Sequence, residues 1–411
     1  MTIRWITALL GTAPASAVRG MPGIHLVDVR DLVDKGGNRV DAVAEKIRLG
    51  HALLSEGKKT VVCCDYGISR SNAVAAGILA RAEGISLEAA VRRVQDATGE
   101  GDIKVEPLQI VRAALGDDAA TQALKLRSGR RAVVMTGAHG FIGRSSAAAL
   151  RADMDVIAPS SQELDVARGS TQLDMLASES GADILVHLAA PRVFTSNVAM
   201  GQTLSMLRNA IDVCLVRDIP LVYLSSAEIY SGYRGSLCAD ESVPALPRGP
   251  YAEAKFLSEM LIEHCRVHLG LRCALIRSSR VYGAGSDRSK FLYNFIDKAR
   301  RGETIVTHCY RNGDPTLDML HVDDLVSLIT RVVRSGFTGV LNAGTGVTTT
   351  THGIATMLID LLGSESRIER TAIDSDSAHI AMDFSKARKL LGWEPTISLA
   401  SGLAALVSSP T

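Results

Sequence analysis

The chain has 411 residues with a net charge of +1 and a pI near 7.7, and 46% of its residues are hydrophobic. This length and apolar content are sufficient for two or three domains with substantial cores. The near-neutral charge and the aromatic content of 4% argue against a nucleic-acid partner, which a basic surface or a stacking platform would bind. Apolar stretches are too short to span a bilayer, so we expect no membrane partner.

The seven cysteines have neither the spacing of metal ligands nor an even pairing framework, so we expect no metal. They stand at positions 63, 64, 214, 238, 265, 273 and 309. Scattered thiols are typical of a reducing cytosol, which predicts a cytoplasmic protein. Met1–Ala17 mimics a secretion signal, but its apolar run is short, and we interpret it as a first strand and turn.

Residues 1–115 have the pattern of a small α/β domain. The predicted elements are a strand at 24–29, a helix at 40–54, a strand at 60–63 and helices near 72–82 and 87–97. The segment 116–131 is polar and basic, which indicates a linker. From 132 to 411 strands alternate with helices, and the predicted strands are 132–136, 154–158, 183–188, 220–225 and 272–277. That alternation is typical of a doubly wound parallel sheet.

A cysteine loop follows the strand at 60–63 and precedes a helix, so backbone N–H groups and the helix dipole point at an anion. Cys64 would attack phosphorus, because a helix N-terminus and an arginine lower the pKa of a thiol. Arg70 would bind two phosphate oxygens in a bidentate fork, and Gly67 would permit the turn. The predicted phosphate-binding residues are Asp65, Tyr66, Gly67, Ile68, Ser69, Arg70 and Ser71.

This loop, in the context of residues 1–115, resembles the dual-specificity protein phosphatases. The resemblance implies an upstream aspartate that protonates the leaving oxygen, for which Asp31 is the first candidate and Asp34 the second. Two positions depart from the family pattern: Cys63 replaces a histidine that orders the loop, and Asp65 puts a carboxylate beside an anion site. The loop is therefore either a working phosphatase site or one that only binds phosphate or packs.

A glycine loop at 137–143 also lies between a strand and a helix, as in dinucleotide-binding folds. Tyr251 and Lys255 are four residues apart, so they share one helix face. The Lys255 ammonium favours a Tyr251 phenolate, which could exchange a proton with a substrate hydroxyl while hydride moves to or from a nicotinamide. Ser226, at the end of a strand, could hydrogen-bond the same substrate oxygen.

With four further motifs, this pattern resembles the extended short-chain dehydrogenase/reductase family of nucleotide-sugar epimerases, dehydratases and reductases, over residues 132–405. Those motifs are Arg277–Gly283, His321–Leu325, Asn342–Gly346 and Leu390–Pro395. The resemblance implies an α/β Rossmann-type sheet with a smaller C-terminal substrate region, a sugar-like substrate and a homodimer. It implies cofactor contacts from Gly137, Gly140, Phe141, Ile142, Gly143, Asp165, Leu188, Ala189, Ala190, Tyr251 and Lys255.

The cofactor and reaction follow from departures within this family pattern. NAD binding usually places a carboxylate at the end of the second strand, but Val156–Ser161 has serines there, which suit a 2′-phosphate and favour NADP over NAD. The dehydratases of this family carry an aspartate followed by a glutamate where this chain has Ala227 and Glu228. That aspartate is the acid needed for water elimination, so its absence disfavours dehydration. Leu317 stands where an arginine commonly holds a nucleotide diphosphate.

Three functions are compatible with this sequence. In the first, an NAD(P)-dependent sugar epimerase or reductase is fused to a phosphatase that acts on a phosphorylated substrate or a phosphoprotein. In the second, the N-terminal domain is an inactive module that binds phosphate or docks a partner. In the third, the C-terminal domain is a regulator that senses NADP, although a sensor would not need Ser226, Tyr251 and Lys255.

Overall fold

A computed structural model of the chain describes residues 3–116, 129–191, 196–286 and 291–408. Most of the expected linker, at 117–128, lies outside the described residues. The chain divides into two compact units. Unit 1 comprises residues 1–134, 161–183 and 208–218, and unit 2 comprises residues 135–160, 184–207 and 219–411.

Unit 1 contains a four-stranded sheet in the order β1-β2-β4-β3. Its strands are β1 (Arg4–Trp5), β2 (Leu10–Pro14), β3 (His25–Asp28) and β4 (Thr60–Cys64). The central strand β4 is parallel to β2 and β3 and is buried along its whole length, as its continuous apolar run predicts. The segment that mimics a secretion signal therefore contributes two strands of this sheet.

Within the described residues 3–116, the helices beside this sheet are α1 (Ala15–Val18), α2 (Val40–Ser55), α3 (Arg70–Glu83), α4 (Leu87–Thr98) and α5 (Val105–Leu115). Helix α3 is the central one, and its side chains are buried from Ser71 to Ala80. Small residues permit this burial, since a Cβ on Gly77 would lie 2.7 Å from Val111 and 2.9 Å from Ile47. The helix starts at Arg70, so its first turn belongs to the cysteine loop.

Residues 161–183 also pack within unit 1. The Ile103 backbone N–H donates to Thr171 Oγ1 at 2.7 Å, and Met175 joins the apolar core of the unit. The side chain of Asp174 is 1% exposed; it accepts two hydrogen bonds from Arg217, at 2.6 and 2.8 Å, and lies 3.7 Å from Arg112. A buried carboxylate between two guanidinium groups ties these three segments of unit 1 together.

The six-stranded sheet has the order β14-β10-β8-β7-β5-β6. Its strands are β5 (Ala132–Thr136), β6 (Asp155–Ile157), β7 (Ile184–His187), β8 (Leu221–Ser226), β10 (Cys273–Ser278) and β14 (Gly339–Ala343). Strands β7, β8, β10 and β14 pair in parallel. The strand order reverses beside β5, which is the position where such sheets bind ligands. The predicted doubly wound sheet is confirmed.

The remaining helices are α6 (Phe141–Leu150), α7 (Thr171–Glu179), α8 (Asn197–Arg217), α9 (Pro250–Leu269), α10 (Phe291–Arg300), α11 (Val322–Ser335), α12 (Thr351–Leu362), α13 (Ser385–Leu391) and α14 (Leu399–Ser408). The smaller strands are β9 (Gly235–Ala239), β11 (Arg280–Tyr282), β12 (Ile305–Tyr310), β13 (Thr316–His321), β15 (Thr348–Thr350), β16 (Ile368–Ile373) and β17 (Ala378–Met382). Among the described residues, no helix has both the length and the hydropathy needed to cross a membrane.

The buried carboxylate of Asp174 allows a test of this packing. Asp174→Ala should lower the free energy of unfolding of unit 1 by about 3–5 kcal/mol, because it leaves the Arg217 guanidinium without its buried carboxylate partner. The measurement is denaturant unfolding followed by circular dichroism. Asp153→Ala is the matched control, since Asp153 pairs with Arg334 with both side chains nearly half exposed, and should cost about 0–1 kcal/mol. Equal losses in the two variants would contradict the prediction.

Candidate functional site

The cysteine loop joins strand β4 to helix α3, with Cys64 as the last strand residue and Arg70 as the first helix residue. Gly67 has a φ of +70°, and a Cβ there would lie 2.5 Å from the backbone of Ala13 and Pro14. Only glycine fits this position without strain. The Gly67 N–H donates to Cys64 Sγ at 3.1 Å, so the loop curls back over the thiol.

The two adjacent cysteines differ in their tendency to ionise. Burial raises the pKa of Cys64, but hydrogen bonds from the Ser71 hydroxyl and from the backbone N–H groups of Ser71, Gly67 and Ile68 outweigh burial and leave it below its usual value. The Ser71 hydroxyl lies 3.4 Å from Cys64 Sγ. Burial raises the pKa of Cys63 to about 11. Of this pair, only Cys64 is suited to react as a thiolate.

Arg70 already binds a carboxylate. Its Nη2 donates to Asp65 Oδ2 at 2.6 Å, and its Nη1 donates to the Leu32 carbonyl at 2.8 Å. The Arg70 side chain is 11% exposed, whereas that of Asp65 is 55% exposed. A phosphate that used the Arg70 fork would therefore displace Asp65, whose side chain has room to move.

The structure separates the two candidate acids. Asp34 Oδ2 lies 3.7 Å from Arg70 Nε and 3.9 Å from Lys104 Nζ, which puts Asp34 beside the loop. Asp31 Oδ2 instead pairs with Lys46 Nζ at 3.1 Å, and its side chain is 58% exposed. The second candidate from the sequence, rather than the first, contacts the loop arginine.

One residue that supports this loop has no signal in the sequence. Arg4 donates to the Gly67 carbonyl and pairs with Glu100, so β1 helps to fix the loop. Tyr66 and Ile68 point outward, with 77% and 39% of their surfaces exposed. These two side chains form the outer rim of the loop.

The glycine loop follows β5 and has the steric features that a dinucleotide needs. Gly137 has a φ of +73°, and a Cβ there would lie 2.5 Å from the backbone of Leu188 and Ala189. A Cβ on Gly143 would overlap the Gly137 carbonyl oxygen. Gly140 donates to that same oxygen at 3.0 Å and precedes helix α6. The backbone is thus open to close approach by a phosphate group.

The other predicted cofactor contacts lie in three places. Phe141 and Ile142 form the first turn of α6, and exposed Ala190 follows the loop that closes over Gly137. Asp165 belongs to unit 1, where its carboxylate accepts a hydrogen bond from the Ala167 N–H at 3.1 Å and pairs with a neighbouring arginine. The carboxylate of Asp165 is therefore already partly occupied.

Tyr251 and Lys255 lie one turn apart near the start of α9, as predicted. Lys255 Nζ donates to the Leu224 carbonyl at 2.7 Å and lies 6.0 Å from the centroid of the Tyr251 ring. Burial lowers the pKa of Lys255, while the charges of Tyr251 and Glu259 oppose that shift. The end of β8 holds the ammonium group close to Tyr251.

Ser226 ends the same strand, two residues after Leu224. It is 8% exposed, and its Oγ accepts a hydrogen bond from the Glu228 N–H at 3.2 Å. Ser226 therefore caps the short 3₁₀ turn at Ala227–Tyr230. Strand β8 thus ends in two features of the predicted chemistry, the Ser226 hydroxyl and the carbonyl that binds Lys255.

A cavity of about 460 Å³ begins at that turn, within unit 2. Its lining includes Ala227, Glu228, Arg234, Arg248, Arg280 and Leu317. Arg280 Nη2 donates to Glu228 Oε1 at 2.7 Å. Leu317, which stands where the family commonly has an arginine, lines this cavity together with three arginines from other segments. In the part of the chain that the structure describes, no cluster of His, Cys, Asp or Glu could hold a metal ion.

Comparison with known proteins identifies the family. Residues 133–344, more than half of the chain, match the NAD dependent epimerase/dehydratase family. The chain is 27% identical over 304 residues to the UDP-glucose 4-epimerase of Mycolicibacterium smegmatis. These residues cover 67% of this chain and 96% of that protein.

Two solved structures share the fold. One is a dTDP-glucose 4,6-dehydratase from Bacillus anthracis in complex with NAD (TM-score 0.60, 21% identity), covering 67% of this chain and 95% of that one. The other is RMD from Pseudomonas aeruginosa complexed with NADPH (TM-score 0.59, 21% identity), covering 68% of this chain and 98% of that one. The family match starts after the cysteine loop, so the phosphatase-like interpretation of residues 1–115 stays a prediction. The chain belongs to the NAD-dependent epimerase/dehydratase family.

Proposed function

We propose that residues 132–411 form an NAD(P)-dependent epimerase or reductase that acts on a nucleotide-sugar-like substrate. The observation that carries this proposal is the position of the Lys255 ammonium, which the Leu224 carbonyl holds 6.0 Å from the Tyr251 ring. Ser226 ends the same strand, and a polar cavity begins at the next residue. A proton-transfer group, its supporting charge and a substrate-sized space therefore occur at one strand end.

The residues of unit 2 fit a dinucleotide, because Gly137 and Gly143 allow the tight turn that leads from β5 into the N-terminus of helix α6, where backbone N–H groups can bind a phosphate. When bound, the nicotinamide accepts or returns a hydride. Tyr251 removes the proton from the substrate hydroxyl during oxidation and returns it during reduction. Lys255 stabilises the Tyr251 phenolate, and Ser226 hydrogen-bonds the reacting oxygen.

The alanine at position 227 favours epimerisation or reduction over dehydration. Water elimination needs groups that deliver and remove protons, and Ala227 has replaced one of the acids that the family's dehydratases use. The other group, Glu228, already binds Arg280 at 2.7 Å.

The sequence around β6 supports NADP over NAD. The first carboxylate after this strand is that of Glu163, so no carboxylate stands at the end of the strand to bind a ribose hydroxyl. His139 Nε2 lies 3.1 Å from the Ala158 carbonyl, which places an imidazole at that strand end. Serines and an imidazole can hydrogen-bond a 2′-phosphate.

We propose that the cysteine loop, within a domain at 1–115, cleaves a phosphate ester of a sugar-like molecule or of a phosphoprotein. Cys64 attacks phosphorus, the P–O bond breaks and the leaving oxygen takes a proton; water then hydrolyses the cysteinyl phosphate. We assign the proton to Asp34 rather than Asp31, because Asp34 contacts Arg70. The pairing of Asp65 with Arg70 favours a second candidate function, a loop that binds phosphate without turnover.

Exposed apolar side chains on helix α9 support a homodimer formed through this helix. Leu257, Met260 and Val267 are 40%, 47% and 57% exposed. Their spacing places them on one face of the helix. A second copy of the chain would cover this apolar face.

The acid–base assignment is tested with Tyr251→Phe. This variant should lose about 100-fold or more of its turnover, because the proton donor is gone, and should keep its cofactor affinity. Interconversion of UDP-glucose and UDP-galactose is the activity probe, and calorimetry with NADP and NAD measures binding. Tyr233→Phe is the control, since this exposed hydroxyl binds the Pro244 carbonyl. Full activity in Tyr251→Phe would refute the assignment.

The two adjacent cysteines should respond differently to pH. Because the pKa of Cys64 is lowered, its alkylation should be half-maximal below the value of about 8.5 for a free thiol. Cys63 should stay unmodified until pH approaches 11. Ser71→Ala should move the Cys64 midpoint to higher pH, because the hydroxyl stabilises the thiolate. Peptide mapping after iodoacetamide treatment measures each site, and a reversed order would contradict the site geometry.

The Asp65–Arg70 pair should compete with bound phosphate. Asp65→Asn should tighten the binding of inorganic phosphate by about tenfold, because the guanidinium loses a competing anion. Phosphate protection of Cys64 from alkylation measures the affinity, and exposed Asp41→Asn is the control. Unchanged protection would mean that Asp65 does not occupy the phosphate position. Hydrolysis of an aryl phosphate by the wild type and not by Cys64→Ser separates turnover from simple binding.

A further inference from the structure

A column of buried side chains runs through unit 2 behind the Lys255 ammonium. Thr136 and His187 end the neighbouring strands β5 and β7, and Tyr223 on β8 is directly opposite His187 in the strand register. Thr136 Oγ1 lies 2.7 Å from His187 Nδ1, and the His187 and Tyr223 rings stack 6.1 Å apart at 16°. Lys255 Nζ completes the column, 3.3 Å from Tyr223 Oη.

Tyr223 makes two different contacts with the ammonium group. Its oxygen accepts a hydrogen bond from Lys255 Nζ, and its ring centroid lies 4.8 Å from the same nitrogen, within the range of a cation–π interaction. Tyr223 is 2% exposed, and burial raises the pKa of its hydroxyl, which therefore stays neutral. An ammonium has three N–H donors, and Leu224 and Tyr223 take two of them.

The other groups around Lys255 leave it as the single cation of this column. Burial first, and the Lys255 charge second, lower the pKa of His187 to about 3, so its imidazole is neutral. Glu259, on the helix of Lys255, already binds Arg277 at 2.7 Å and the Ser225 hydroxyl at 2.5 Å. Cys273 lies on the neighbouring strand β10, and burial raises the pKa of its thiol, which is therefore uncharged.

We propose that Tyr223 is a positioning residue for the Lys255–Tyr251 pair: its hydroxyl and ring hold the ammonium beside Tyr251, and His187 and Thr136 fix the Tyr223 ring. The Leu224 carbonyl alone anchors the nitrogen at one point. The Tyr223 contacts add a second point and a surface, which restrict where the charge can lie. This inference rests on the proposed acid–base role of Tyr251.

The test is a titration of the Tyr251 phenolate, which needs no sugar substrate. Ultraviolet absorbance is recorded against pH for each protein and for its Tyr251→Phe counterpart, and the difference isolates Tyr251. The wild-type midpoint is the reference for the variants. In Tyr223→Phe the midpoint should rise by about one pH unit, because a less firmly held ammonium stabilises the phenolate less.

Tyr282→Phe is the matched control. Tyr282 is also buried, but its hydroxyl has no hydrogen-bond partner among the residues that the structure describes, so its loss should leave the Tyr251 midpoint unchanged. An unchanged midpoint in a folded Tyr223→Phe protein would overturn the inference. Should that variant not fold, His187→Gln, which removes the stacked ring, must raise the midpoint for the inference to stand.

The same data distinguish this inference from the proposed function. Lys255→Met should raise the Tyr251 midpoint more than Tyr223→Phe does, because it removes the charge itself. Should the Tyr251 midpoint be the same in Lys255→Met as in the wild type, the acid–base pair would be refuted along with the inference. A shift with Lys255→Met and none with Tyr223→Phe would remove only the role of Tyr223.

Discussion

The hydrogen bond from Lys255 to the Leu224 carbonyl joins helix α9 to the end of strand β8, and the candidate chemistry of unit 2 depends on it. The helix can stay aligned with the strand because the spacing of side chains on one face is nearly the same in both elements. Residues i and i+2 of a strand lie on one face about 6.6 Å apart, and residues i and i+4 of a helix lie about 6 Å apart. Lys255 donates a hydrogen bond to Tyr223, and Ser225, two residues further along the strand, donates one to Glu259, four residues further along the helix. The helix is thus aligned with the strand at two points, which fixes where Tyr251 lies.

The cysteine loop and the glycine loop solve one steric problem in the same manner. Gly67 and Gly137 both have a φ near +70°, and in each case a Cβ would lie 2.5 Å from the backbone at the end of a neighbouring strand. Close approach to that backbone directs the loop toward the following helix N-terminus. The loops differ in what comes next. One supplies a thiol and an arginine, and the other supplies Gly143, which leaves room where a side chain would overlap the backbone.

Much of this fold could be predicted from the sequence, because the strands of a parallel sheet are continuous apolar runs between turn residues. The predicted strands at 132–136 and 220–225 lie within a residue of β5 and β8. The pairing of Tyr251 with Lys255 could also be predicted, since their spacing alone places them on one helix face. Contacts between distant segments could not be predicted. Arg4 on the Gly67 carbonyl depends on tertiary register that no local pattern encodes.

Each candidate site contains an arginine bound to a carboxylate, and burial makes the two pairs differ. Arg70 is 11% exposed and also donates to the Leu32 carbonyl, so it stays in place and any exchange of anions occurs by movement of Asp65. Arg280 and Glu228 are 47% and 38% exposed, and such pairs contribute little and separate easily. A ligand at Arg70 must therefore displace the Asp65 carboxylate from a guanidinium that stays in place, for which a doubly charged phosphate is better suited than a monoanion. At Arg280 the same exchange costs little, so the Arg280 side chain can leave Glu228 and move with a bound substrate during the reaction.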